Sequence, residues 1–148
     1  MRLYLDACCL NRPFDDQSQL RVRLEAEAIR TVLQLCEEGI HEWIGSSVLR
    51  YELGKTPDDV RRQRTTDLLE LASEMAESDP ADRARAGELE LLGFSDFDAA
   101  HLATAERLAC DVFLTTDDRL IKRASTLAAA QLGIQAINPL LWLQETEA

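Results

Sequence analysis

The chain has 148 residues, 46% of them hydrophobic and 29% charged, which suits one soluble domain (1–148) around one core and excludes a disordered protein. A net charge of −11 argues against a broad basic nucleic-acid footprint but leaves room for an acidic pocket where divalent cations meet phosphate. No apolar run approaches the roughly 18 to 20 residues needed to span a bilayer, and Cys8, Cys9, Cys36, Cys110, His41 and His101 lack zinc-ligand spacing.

The N-terminal residues 2–6, Arg-Leu-Tyr-Leu-Asp, alternate polar and apolar and read as a strand rather than a signal peptide, so the expected location is the cytoplasm. Residues 11–16 read as a loop. From about Gln19 to Glu38 the residues Val22, Ala26, Ile29, Leu33 and Cys36 recur at helical spacing, and Gly39 ends that helix. Residues 42–46 form a second strand. Ser46 or Ser47 caps a short helix carrying Val48, Leu49 and Glu52.

After Pro57 the pattern predicts a long helix with Val60, Leu68, Leu71, Ala72 and Met75 facing inward, and a further helix runs from Pro80 to about Leu92. Ser95 opens an Ala-rich helix that begins with Asp98. Residues 111–115 make a third strand, and Thr116 or Asp117 starts a helix running to about Gln131. Ile134–Ile137 is a fourth strand, and Pro139 begins a last helical turn. Strands alternating with helices imply an α/β fold with a mostly parallel sheet, in which ligands gather at the carboxyl ends of the strands.

Four acids fall near those ends: Asp6, Glu52, Asp98 and Asp117. Carboxylates crowded together repel, and a divalent cation with oxygen preference, Mg²⁺ or Mn²⁺, removes the conflict and can serve phosphodiester hydrolysis. Each acid has a plainer reading as well. Asp98 follows Ser95 in a capping pattern, Asp117 is suited to cap its helix, and Glu52 suits a solvated helix face. Asp6, at the end of a buried-looking strand, is the hardest to explain without a partner. No Gly-x-Ser-x-Gly elbow or phosphate-cradling glycine loop competes with this set.

The segments Leu5-Asp6-Ala7-Cys8, Glu52, Asp98-Ala-Ala-His-Leu-Ala-Thr-Ala and Leu114-Thr115-Thr116-Asp117 resemble, in order and over nearly the whole chain, the motifs of PIN domains, and the 11–16 loop is similar to a prokaryotic subgroup. The resemblance implies a PIN-like α/β fold, with a central mostly parallel sheet of four or five strands and helices on both faces. It implies Mg²⁺- or Mn²⁺-dependent cleavage of RNA, with Asp6, Glu52, Asp98 and Asp117 as catalytic and metal-binding residues and Thr115 as a supporting hydroxyl. Small members of this kind resemble VapC-type toxins, which implies a cognate antitoxin and a homodimer as partners. Ala7 stands where many members carry a hydroxyl, leaving the hydrogen bonding of Asp6 open.

Among the remaining residues, Arg12 is a candidate phosphate contact or a partner for Asp15 or Asp16. Arg61, Arg62 and Arg64 read as a solvated basic face, and His101 as a packing or hydrogen-bonding histidine. Trp43 and Trp142 read as core or interface anchors. Two rival functions are a PIN-like module that binds RNA or protein without cutting, and a phosphatase or receiver-like protein using Asp6 as acceptor. The second lacks the Asp-x-Asp pattern its chemistry would suggest.

Overall fold

The computed structural model describes residues 1–147. Five strands, β1 (Arg2–Leu5), β2 (Glu42–Ser46), β3 (Glu74–Ala76), β4 (Val112–Leu114) and β5 (Gln135–Ile137), form one sheet in the order β3-β2-β1-β4-β5, every pair parallel. The chain winds outward from β1 through β2 to β3, then crosses to β4 and β5. The winding direction therefore reverses between β1 and β4, and such a reversal opens a crevice at the strands' carboxyl ends. Their pairing, with Leu5 opposite Leu114, brings Asp6 and Thr115 to that crevice side by side.

Eight helices connect and cover the strands: α1 (Ala7–Asn11), α2 (Leu20–Glu37), α3 (Ser47–Gly54), α4 (Asp59–Leu69), α5 (Pro80–Leu91), α6 (Asp96–Arg107), α7 (Asp118–Ser125) and α8 (Pro139–Thr146). The period-2 alternation of the strands divides the core in two. Leu3, Leu5, Trp43, Val112 and Leu114 pack on one face with Ile29 and Val32 of α2 and Trp142 of α8. Tyr4, Ile44 and Phe113 pack on the other with Ala99, Leu102 and Ala103 of α6. Each fully buried Leu or Phe in these layers contributes roughly 1.5–3 kcal/mol. Both tryptophans are core residues, and Cys36 and Cys110 are free thiols, each pushed up to about 11 by burial.

Besides the 11–16 segment, where Asn11 closes α1 and Arg12–Phe14 form a short 3-10 helix around Pro13 and not a loop, the structure corrects the sequence reading in two places. The helix after Pro57 stops at Leu69, the chain turns at Leu71 and Ala72, and Glu74–Ala76 adds the edge strand β3, entered by the amide of Ser73 donating to Trp43 O. Leu68, Ala72 and Met75 do pack on the core, but Val60 and Leu71 are 60% and 53% exposed. Helical spacing persists by coincidence across a turn, and Met75 reaches the core from a strand, close over Gly45 of β2, where a Cβ would lie 2.5 Å from its sulfur. The second correction is α7, which ends at Ser125 and not near Gln131. There the hydroxyls of Ser125 and Thr126 bond back to the carbonyls of Lys122 and Arg123 and close off the last turn.

Candidate active site

Asp6 caps α1 directly after β1, and its amide still donates to Leu114 O, so the residue is fixed by both sheet and helix. Its carboxylate is only 5% exposed. The amide of Ala7 donates to Oδ1 at 2.7 Å and the hydroxyl of Thr115 to Oδ2 at 3.0 Å. Thr115 in turn accepts from the amide of Asp117 at 3.1 Å. The hydroxyl absent at Ala7 is thus supplied from the neighbouring strand end. Cys8 also enters the site, with Sγ 3.5 Å from Asp6 Oδ2 and 3.2 Å from Thr115 Oγ1.

Glu52 lies on α3, whose N-cap is Ser46. Its Oε1 is 2.7 Å from Nε2 of His101, a fully buried residue of α6. On the other side of the ring, Nδ1 lies 2.6 Å from the Tyr4 hydroxyl, which is 2.7 Å from Ser46 Oγ. A carboxylate only accepts, so Nε2 carries the proton donated to Glu52, and Nδ1 shares the second hydrogen bond with the Tyr4 hydroxyl. Burial pushes the Tyr4 phenol well above its usual range, which keeps it protonated. The chain Ser46–Tyr4–His101 therefore aims Glu52 from within the core. Ligand-type atoms of Asp6, Glu52 and His101 lie within 4.8 Å of one another.

Asp98 and Asp117 stand slightly apart from that group. They line an adjoining cleft of 670 Å³ together with Ser95, Arg119, Lys122 and Arg123. Ser95 accepts from the amide of Asp98 and caps α6. Asp117 caps α7, its Oδ1 accepting from the amides of Arg119 and Leu120, so the plainer reading of Asp117 is real and still leaves Oδ2 free of those bonds. The acids feel one another. Burial raises the Asp6 carboxyl well above the usual range, and Cys8, Asp98 and Glu52 add to the rise. Burial also raises Asp98, with Asp117 and Glu52 adding to it against the pull of Ser95.

This donor set suits a small divalent cation: oxygen-rich, mutually repelling, with no Lys or Arg paired to Asp6, Glu52, Asp98 or Asp117 among the described residues. A family model described as PIN domain matches residues 3–126. The chain belongs to the PIN domain family. Among solved structures, this PIN domain is similar to a chain of VapBC2 from Rickettsia felis bound to a DNA fragment from their promoter (TM-score 0.63, 15% identity, 93% of this chain and 98% of that one). It is also similar to a chain of FitAB bound to an IR36 DNA fragment (TM-score 0.58, 16% identity, 93% and 95% covered). At these identities the likeness is one of fold. No curated protein matches.

Of the four acids named from the sequence, the fold brings Asp6 and Glu52 into one tight group and places Asp98 and Asp117 on the next wall. His101, read from the sequence as a packing or hydrogen-bonding histidine, is a hydrogen-bonding one, and its bond to Glu52 brings it to the edge of the site. Its spacing, three residues after Asp98, puts both on one face of α6 and was the available signal. Of the two readings of Arg12, the structure has the ion pair: Arg12 lies 3.1 Å from Asp15 and, unforeseen, 3.1 Å from Glu25.

Proposed function

We propose that this PIN domain is a metal-dependent endoribonuclease that hydrolyses RNA phosphodiester bonds in line. The observation that carries the proposal is Asp6: a buried carboxylate at the switch point, with no cation paired to it and facing further acids. Asp6, Asp98 and Asp117 would hold Mg²⁺ or Mn²⁺, with Glu52 completing the ligand set or orienting the attacking water. The cation, when bound, supplies an acidified water and neutralises charge developing on the phosphate. The residues themselves do the positioning. Thr115 fixes Asp6, His101 fixes Glu52, and the cap bonds of Asp117 fix its carboxylate, which lines the cleft.

The same proposal extends to biological context. The fold shared with VapBC2 and FitAB chains, together with the motif resemblance to VapC-type toxins, supports a toxin role, an antitoxin partner and a homodimer. No helix is long and apolar enough to cross a membrane. The test is cleavage of RNA by the purified chain with Mg²⁺ or Mn²⁺ and with chelator, for wild type, Asp6→Asn and Asp98→Asn. Metal-dependent cleavage lost in both variants supports the reading; variants that cut as well as wild type refute the metal assignment. Absence of Mn²⁺ binding by calorimetry, with no cleavage, would favour a non-cutting binding module.

A further inference from the structure

Two unlike groups of side chains adjoin the acids. In one, Tyr51 and Phe97, the residues immediately before Glu52 and Asp98, approach each other with ring centroids 6.3 Å apart and an interplanar angle of 37°. Tyr51 is 60% exposed. Lys55 Nζ sits 4.7 Å from the Tyr51 centroid and 5.9 Å from that of Phe97. On the underside Phe97 stacks 6.3 Å from His101, so the pair is backed by the same imidazole that aims Glu52.

In the other, the 670 Å³ cleft that contains Asp98 and Asp117 is walled by Arg119, Lys122 and Arg123, which share a face of α7. The sequence carries a net charge of −11. Arg12, Arg21, Arg61 and Arg62 are tied to carboxylates. Among the described residues Arg119 and Lys122 have no such partner. Arg123 reaches only the Leu92 carbonyl, at 3.4 Å, and lies over Gly93, where a Cβ would meet its guanidinium at 2.5 Å.

Resting on the nuclease reading, we propose that Tyr51 and Phe97 form a base-stacking platform, and Arg119, Lys122 and Arg123 a phosphate track, for the strand that crosses the acids. One base stacks on the Tyr51–Phe97 platform, and the backbone phosphates to the other side of the cut lie along Arg119, Lys122 and Arg123. An aromatic face accepts any base, but only one that is not already stacked inside a duplex. Lys55 adds a cation where the strand leaves the platform. This arrangement gives an acidic protein a local phosphate track without a basic surface. Charge complementarity at both groups favours nucleic acid over a second copy of this acidic chain as the occupant.

The experiment measures binding of a labelled 12-nucleotide single-stranded oligoribonucleotide, and of a hairpin duplex, to the full chain carrying Asp6→Asn, with cleavage by the otherwise wild-type chain followed separately. Tyr51→Ala and Phe97→Ala should each weaken single-strand binding by about tenfold while barely changing duplex binding, and Tyr51→Phe should restore it. Replacing Arg119, Lys122 and Arg123 together by Ala should lower the slope of log Kd against log salt by about two. An unchanged single-strand Kd in Tyr51→Ala, or a hairpin bound as tightly as the strand, overturns the proposal even if metal-dependent cleavage stands. So does a Tyr51→Ala variant that shifts a dimer to monomer in sedimentation without altering RNA affinity. Failure of the nuclease reading shows instead as absent cleavage by the wild-type chain while the platform variants still change binding.

Discussion

Two carboxylates are buried in this protein to almost the same degree, and they are treated in opposite ways. Glu25, on α2, is 1% exposed and surrounded by cations and donors. Arg12 lies 3.1 Å from Oε1, Arg21 lies 3.2 Å from Oε2, and the amide nitrogen of Asn138 donates to Oε2. Asp6 is 5% exposed and receives a hydroxyl, a backbone amide and a thiol, with other acids beyond them. A buried charge with oppositely charged partners is part of the architecture, and here it locks the 11–16 segment and the start of α8 onto α2. A buried charge left facing like charges is a cost the fold retains for another purpose.

The largest expected effect is therefore on the architectural side. Glu25→Ala leaves Arg12 and Arg21 facing an emptied site, and breaking such a buried pair should cost about 3–5 kcal/mol. Urea unfolding of the two proteins measures it. A loss under 1 kcal/mol would mean that Glu25 is no anchor and that the contrast with Asp6 is false.

Asp6→Asn should do the reverse. Cleavage should fall by more than about 100-fold, beyond the usual effect of losing a supporting residue around a metal. Meanwhile, the metal-free protein should melt at a higher temperature than wild type, because a repelled charge has gone. The pH dependence follows the same direction. A carboxyl whose folded pKa is raised contributes stability that is complete below its unfolded pKa, near 4, and is lost as pH rises through the folded value. For Asp6 and Asp98 both shifts are upward. Chelated wild type should thus gain stability as pH falls from 7 toward that range, and Asp6→Asn should flatten part of the gain. Thermal melts across pH that show wild type and variant running parallel would place the strain elsewhere.

The contrast also shows what was legible in the sequence. Asp6 announced itself because a single acid closes a short apolar strand, and strand-end placement then selected Glu52, Asp98 and Asp117. Glu25 gave no such sign. It sits among charged neighbours in a helix whose apolar spacing was read correctly at Val22, Ala26 and Ile29, and only the tertiary fold brings Arg12 and Asn138 to it. The parallel sheet was readable from alternating elements, but β3 was not: unlike the equally short β4 and β5, it continues a helical period that runs on through Met75. The spacing of the acids could suggest a shared crevice. It could not show that Asp117 both caps α7 through Oδ1 and lines the cleft.

Between these extremes stands His101, which connects an acid of the site to the core. His101→Ala removes the donor that aims Glu52 and leaves the Tyr4 hydroxyl without its imidazole partner. Loss of an orienting partner of this kind should lower cleavage by roughly 10- to 100-fold, and the loss should fall on kcat with KM little changed, since the ring touches no exposed surface from which substrate could be held. His101→Gln, which can still donate toward Glu52, should recover part of it. A variant with normal kcat would reduce His101 to packing.

The smallest effect should come where the two regimes meet. Arg21 bonds Glu25 with Nε and, at 2.7 and 2.8 Å, holds both oxygens of Asp118 on α7. One guanidinium thus serves a buried acid and an exposed one. Arg21 lowers the pKa of Asp118, so that pair contributes above the unfolded pKa and is lost as pH falls through the folded value, opposite in sign to Asp6. Both Arg21 and Asp118 are more than half exposed, at 54% and 68% of side-chain area, so screening leaves little. Asp118→Asn should cost less than about 1 kcal/mol and nothing measurable in 1 M salt, while Arg21→Ala, which also strips Glu25, should cost clearly more and keep its cost in salt. If the two variants prove equal, Glu25 draws its neutralisation from Arg12 alone, and the architectural half of the comparison rests on one cation rather than two.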